Sequence, residues 1–218
     1  MSQNATNNEK ITKNNTIVGQ MPRIRGKLTM NKKPYLKPGL VIECGSMFSG
    51  KSDSIRRKGR RYMFAQQHAV FVKPDLDNRY DEFYVTTHNG DSVPAISVDI
   101  HSSLLLVPEI MKADVVLIDE IQFFKEQLID DIIHLVNAGK RVYGAGLDMD
   151  FKGNPFLITS HLMSLADKVK KHHAVCTTCG EDAYISHKKI QNDKLVELGH
   201  SDLYEALCRP CYQLKIKK

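Results

Sequence analysis

The 218-residue sequence nowhere holds 18 consecutive apolar residues, which excludes a transmembrane helix. No apolar stretch follows the first residues, so a secretory signal is not expected. Internal repeats are absent as well. Acids are nearly missing from the first 39 positions, where eight Lys and Arg face Glu9 alone. The rest of the chain carries 23 basic and 24 acidic residues, so the net charge of +6 comes from this tail. A nucleic-acid binder is expected to carry its bases as a stripe on a folded face. This distribution offers none. Cysteine is scarce and odd in number, at five. Without a secretory leader, that argues against a disulfide framework and for a reducing compartment with a metal site.

What is present is ordinary globular composition, 42% hydrophobic and 26% charged, which excludes a wholly disordered chain. A chain of this length hides roughly 70% of its unfolded surface, enough for one full-sized domain with a small appendage. Residues 1–38 are rich in Asn, Lys and Thr and end in the breakers Pro34, Pro38 and Gly39. They are expected to be a disordered basic tail. A transit peptide is the competing reading, but such peptides are rich in Arg and Ser rather than Asn and Lys.

From Gly39 the texture changes. Leu40–Cys44, Ala69–Val72, Val93–Val98, Asp114–Asp119 and Arg141–Leu147 read as strands, the third an edge strand because of Pro94. Residues 50–66 and 126–137 read as helices, the first with Ile55, Tyr62 and Met63 near one face, the second stopped by Gly139. Strands with near-continuous apolar runs alternating with helices predict an α/β fold whose parallel sheet is covered by helices. Residues 39–168 would form this nucleotide-binding domain. Residues 169–212 would form a smaller lobe, and 213–218 a short basic tail.

The chemistry concentrates in three places. Gly45-Ser46-Met47-Phe48-Ser49-Gly50-Lys51-Ser52 matches G-x-x-x-x-G-K-[ST] between a strand and a helix, the context a P-loop needs. Its glycines let backbone N–H groups curl around ATP phosphates, Lys51 would reach the β- and γ-phosphates, and Ser52 would hold Mg²⁺. Asp119, ending the most apolar strand, stands where a second Mg²⁺ ligand belongs, and Glu120 follows it pointing the other way. Cys176-x₂-Cys179 and Cys208-x₂-Cys211 are knuckles that supply four thiolates for a closed, structural Zn²⁺ site. Cys44, alone on the first strand, reads as a small buried hydrophobe. His172 and His173 read as ordinary lobe residues, and His88 beside Asn89-Gly90 as a weak site candidate.

Taken together, the P-loop, Lys73–Tyr80, Ile118–Phe124, Gly146–Phe151 with Pro155-Phe156, and the two knuckles resemble the type II thymidine kinase family, in the family's order from Gly39 to Tyr212. The resemblance implies a RecA-like P-loop core, a small zinc-ribbon-like lobe carrying a lasso loop, and a cytoplasmic homotetramer. It implies transfer of the ATP γ-phosphate to the 5′-hydroxyl of thymidine, with Glu120 as general base. Asp77, Asn78 and Arg79 would contact ATP, as would Asp119, Glu120, Ile121 and Gln122. Met47, Phe123 and Phe156 would line the base pocket, Phe151 would pack near the thymine, and Tyr204 would contact substrate. Leu195, Val196, Glu197, Leu198 and Gly199 would be the lasso segment that reads the base edge.

Two positions depart from the family pattern. Asp53 follows Ser52 where Thr or Glu is common, and Lys188 stands where Arg is usual, a point charge in place of a planar fork. The rival function is a zinc-ribbon RecA-like ATPase acting on nucleic acid. The near-neutral folded part and Phe123-Phe124 beside the carboxylates argue against it, so neither nucleic acid nor membrane is expected as a partner.

Overall fold

The computed structural model describes residues 36–76, 84–86, 92–189 and 203–217. The expected disordered tail, up to residue 35, lies outside them. The first half of the chain forms β1 (Gly39–Gly45), α1 (Lys51–Phe64), β2 (Ala69–Asp75), β3 (Tyr84–Thr86), β4 (Ser92–Pro94), β5 (Ile96–Asp99), α2 (Pro108–Lys112) and β6 (Val115–Ile118). The second half forms α3 (Gln127–Asn137), β7 (Arg141–Gly146), α4 (Leu157–Leu165) and β8 (Lys168–His172). After these come β9 (Ala174–Val175), β10 (Asp182–Ala183), β11 (Ile185–Lys188), β12 (Tyr204–Leu207) and α5 (Arg209–Ile216).

Six strands pair in the order β5-β2-β6-β7-β1-β8, every neighbour parallel. Side chains alternate across such strands, so each strand feeds two cores. On one face Leu40, Ile42 and Cys44 of β1 join Val116, Ile118 and Val142 beneath Ile110 of α2, Ile132 and Leu135 of α3, and Leu162 of α4. On the other face Val41, Phe71, Leu117 and Tyr143 pack with Ile55 and Tyr62 of α1. The sheet is thus an α/β sheet covered by helices on both faces, as the apolar runs predict. Met63, placed by sequence on the apolar face of α1, is instead 44% exposed in its last turn.

Two features differ from the sequence pattern. The expected strand 93–98 is split at Ala95. β4 pairs antiparallel with β3, and only β5 joins the main sheet, at its edge. Pro94 has no N–H to give a ladder, so the break falls beside it. The opposite edge is β8, four of whose five residues are exposed, which leaves no apolar run to read.

β8 also reveals a buried ionic cluster beneath the P-loop strand. Glu43, fully buried on β1, receives the Lys58 ammonium from α1 on Oε1. Its Oε2 lies 2.8 Å from His172 Nε2. Burial holds the His172 imidazole down at about 4, and the charges of Lys170, Lys51, Lys58 and His173 push the same way. The unfolded chain therefore protonates His172 first, and stability is lost as pH falls from 6.5 towards 4. The thermal midpoint of the wild type should fall more steeply over this window than that of His172→Gln. Equal slopes would show that another group titrates.

Candidate functional site

The site begins where β1 runs out. Gly45 has φ 141°, and a Cβ there would stand 2.2 Å from the His172 carbonyl oxygen, so only glycine lets β8 approach this closely. Phe48 (φ 64°) and Gly50 (φ 78°, ψ 21°) then take the left-handed region, turning the loop into α1. Gly50 does so without steric cost. Inside the loop the Ser46 carbonyl accepts from Lys51 Nζ at 2.7 Å and from Ser49 Oγ at 2.8 Å. Lys51 is buried, which pulls its ammonium below the usual lysine range, while the carboxylates of Glu120, Asp119 and Asp148 act the other way.

The end of β6 closes on this loop. Asp119 N–H donates to the Val72 carbonyl at 2.8 Å, and Asp119 Oδ1 accepts from Ser52 Oγ at 3.1 Å and from Glu120 N–H at 3.0 Å. The two residues expected to share a cation are thus in direct contact. Burial pushes the Asp119 carboxyl up to about 7, and the neighbouring Glu120 charge adds to this. The Ser52 hydroxyl and the Glu120 amide oppose it, as does Lys51. Glu120 sits at φ 52°, ψ 42°, a left-handed conformation that costs a non-glycine residue on the order of 1–3 kcal/mol. Its Oε2 accepts from Gln122 Nε2 at 2.5 Å. Ile121 is buried in the core below.

The residues expected around a nucleoside gather in part. Ser186 and Lys188 share one face of β11, and Ser186 Oγ accepts from Met47 N–H at 2.8 Å. Lys188, only 3% exposed, lies 5.5 Å above the Phe151 ring and pairs across the ladder with buried Tyr204. Phe151 in turn accepts from the Tyr212 hydroxyl through its carbonyl at 3.3 Å. Met47 thus adjoins β11 through its backbone amide, and Phe151 and Tyr204 adjoin it through Lys188. Phe123 lies in the turn 121–123 and Phe156 caps the start of α4, two elements packed on each other. Asp77, Asn78, Arg79 and the segment Leu195–Gly199 lie outside the described residues, as does His88.

Cys176, Cys179, Cys208 and Cys211 place their sulfurs within 4.8 Å of one another, and could hold a metal ion. Cys179 and Cys208 are 3.6 Å apart, close to the ~3.8 Å expected between thiolates on a tetrahedral ion with 2.3 Å bonds. The donor set fits zinc. His172 turns away from it to Glu43, and His173 Nδ1 lies 3.3 Å from Asp182 Oδ2, so neither completes the cluster.

Sequence reasoning missed the clamp on the P-loop. Besides Ser186, the Ala183 carbonyl accepts from Ser46 Oγ at 3.3 Å, a contact spanning 137 residues. Asp148, part of the stretch Gly146–Phe151 but given no role from sequence, is buried with Oδ2 2.6 Å from Lys171 Nζ. A serine and an alanine carbonyl carry no local signal. Asp53 is an exposed residue that pairs with Arg56 on α1 at 2.6 Å and leaves the loop untouched.

Comparison with known proteins narrows what such a site serves. Residues 39–212 match the family described as thymidine kinase. A thymidine kinase of Bacteroides thetaiotaomicron is 48% identical over 173 residues, 79% of this chain and 86% of that one. A thymidine kinase of Porphyromonas gingivalis is 44% identical over 174 residues, 80% of this chain and 84% of that one. Among solved structures, the flagellar accessory protein FlaH of Methanocaldococcus jannaschii is 14% identical with a TM-score of 0.44, covering 67% of this chain and 76% of that one. A match running from the first strand of the sheet to the last knuckle leaves no room for another assignment of the described fold: the chain belongs to the thymidine kinase family.

Proposed function

We propose that this chain transfers the γ-phosphate of ATP to the 5′-hydroxyl of thymidine, giving ADP and thymidine monophosphate. One observation carries the reading: in a chain of this family, Glu120 stands at the end of β6 beside a P-loop whose Ser52 touches Asp119. Loop amides between Gly45 and Gly50 bind the triphosphate while the Met47 N–H stays on Ser186 Oγ and shapes the loop, with Lys51 on the β- and γ-oxygens and Arg79, with Asp77 and Asn78, adding contacts. Ser52 and Asp119 would hold Mg²⁺, which supplies charge neutralisation on the phosphates when bound. Glu120 accepts the 5′-hydroxyl proton as the new O–P bond forms and the bond to the β-bridging oxygen breaks.

Met47, Phe123, Phe151, Phe156 and Tyr204 line the nucleoside side, and the segment Leu195–Gly199 reads the base edge through its backbone. The cysteines would hold structural Zn²⁺ at Cys176, Cys179, Cys208 and Cys211. Homotetramer formation in the cytoplasm, without nucleic-acid or membrane partners, completes the reading, supported by the resemblance. No helix among the described residues is long and apolar enough to cross a membrane. A nucleic-acid-dependent ATPase is not favoured by the family match.

A screen of nucleosides with ATP and Mg²⁺ tests this. Hydrogen-bonded readout rejects a wrong donor pattern strongly, whereas a lone methyl is worth about 1–3 kcal/mol. Thymidine should be the best substrate, deoxyuridine measurable but poorer, and deoxycytidine and purine nucleosides close to background. Deoxycytidine within tenfold of thymidine would overturn the pocket. ATP turnover driven by single-stranded DNA and not by thymidine would overturn the kinase.

A further inference from the structure

Gln122 is 7% exposed and its carboxamide lies between two groups of fixed character. The Leu147 backbone N–H can only donate, so it faces Gln122 Oε1, at 3.0 Å. That orientation leaves Gln122 Nε2 turned to Glu120 Oε2, at 2.5 Å. Rotating the amide by half a turn would set donor against donor and acceptor against acceptor. The seat itself is cut to size, because a Cβ on Gly146 would stand 2.6 Å from Gln122 Oε1. Glu120, meanwhile, leaves β6 in the left-handed conformation that aims its side chain at this amide.

From this geometry we infer that Gln122 is a positioning residue for Glu120. The backbone at the end of β7 orients the amide, and the amide holds one carboxylate oxygen of the proposed general base as an acceptor. The other oxygen, Oε1, is left for the hydroxyl proton of the substrate. The inference rests on the reading of Glu120 as base. It differs from a role for Gln122 in holding ATP, because a positioning residue acts through Glu120 while an ATP contact acts through the nucleotide. A hydrogen bond to an ionised carboxylate is among the stronger kinds, and misplacing a reacting group by 1 Å can cost about 10²-fold in rate.

The test is a double-mutant cycle on the full-length protein, with Gln122→Met and Gln122→Glu made in the wild type and in Glu120→Gln. Gln122→Met removes the donor. Gln122→Glu keeps an acceptor for Leu147 and so preserves the fold, but sets a second carboxylate against Glu120. Both should lower kcat by about tenfold or more, with KM for ATP and for thymidine within about twofold. In the Glu120→Gln background both should cost less than about twofold, since there is no carboxylate left to place. Losses of equal size in both backgrounds would overturn the inference, as would a rise in KM for ATP exceeding the fall in kcat. Thermal midpoints are read alongside, and Gln122→Glu carries the test if Gln122→Met does not fold. Failure of the underlying reading shows separately: Glu120→Gln alone would then keep more than half of wild-type kcat, and the inference would fall with it.

Discussion

Glu120→Gln should lower kcat by about 10²–10⁴-fold while leaving the binding of ATP and thymidine nearly unchanged, the range that positioned base catalysis supplies. The amide has the shape of the carboxylate and can occupy the same left-handed backbone, so the neighbouring P-loop contacts of Ser52 and Asp119 need not move. What it lacks is the ability to accept a proton. Equilibrium binding of both substrates and single-turnover rates separate the two effects. A variant with more than half of wild-type kcat would remove Glu120 from the role.

Removal of zinc should be comparably severe, and should reach further than the nucleoside pocket. One zinc per chain is expected at Cys176, Cys179, Cys208 and Cys211, and metal binding supplies folding energy in such small units. The strands that these knuckles bracket also clamp the P-loop, through Ala183 on Ser46 and Ser186 on Met47. Cys179→Ser, Cys208→Ser or exhaustive chelation should therefore abolish thymidine phosphorylation and weaken ATP binding together. Ser186→Ala separates the two. It leaves the cysteines in place and removes one hydrogen bond, worth about 1 kcal/mol, so ATP affinity should fall by about fivefold with zinc content unchanged. Soluble, active protein without zinc, or metal-free protein with wild-type ATP affinity, would refute this account.

Much of the central machinery is written in short stretches. Val115–Ile118 is apolar throughout because a central strand is covered on both faces, and it is found fully buried. The Gly-x-x-x-x-Gly-Lys-Ser spacing is a local constraint of a loop between strand and helix, and β1 and α1 flank it. Two Cys-x₂-Cys pairs announce their chemistry at any distance from each other, and their sulfurs converge. In each case the residues that determine the structure are neighbours in sequence, so their pattern alone sufficed.

Tertiary structure decided the rest. β8 reads as polar, Lys168 to His172, because an edge strand needs only one partner and buries little; β1 selects it through backbone pairing. The clamp on the P-loop joins residues 137 and 139 apart, chosen by where a carbonyl and a hydroxyl happen to face the loop. Nothing near Glu120 in sequence says which way the Gln122 amide turns. That is decided by the Leu147 N–H, 25 residues on, where β7 ends beside it. Hydrogen-bond direction between distant segments has no periodicity, so only the folded chain could show it.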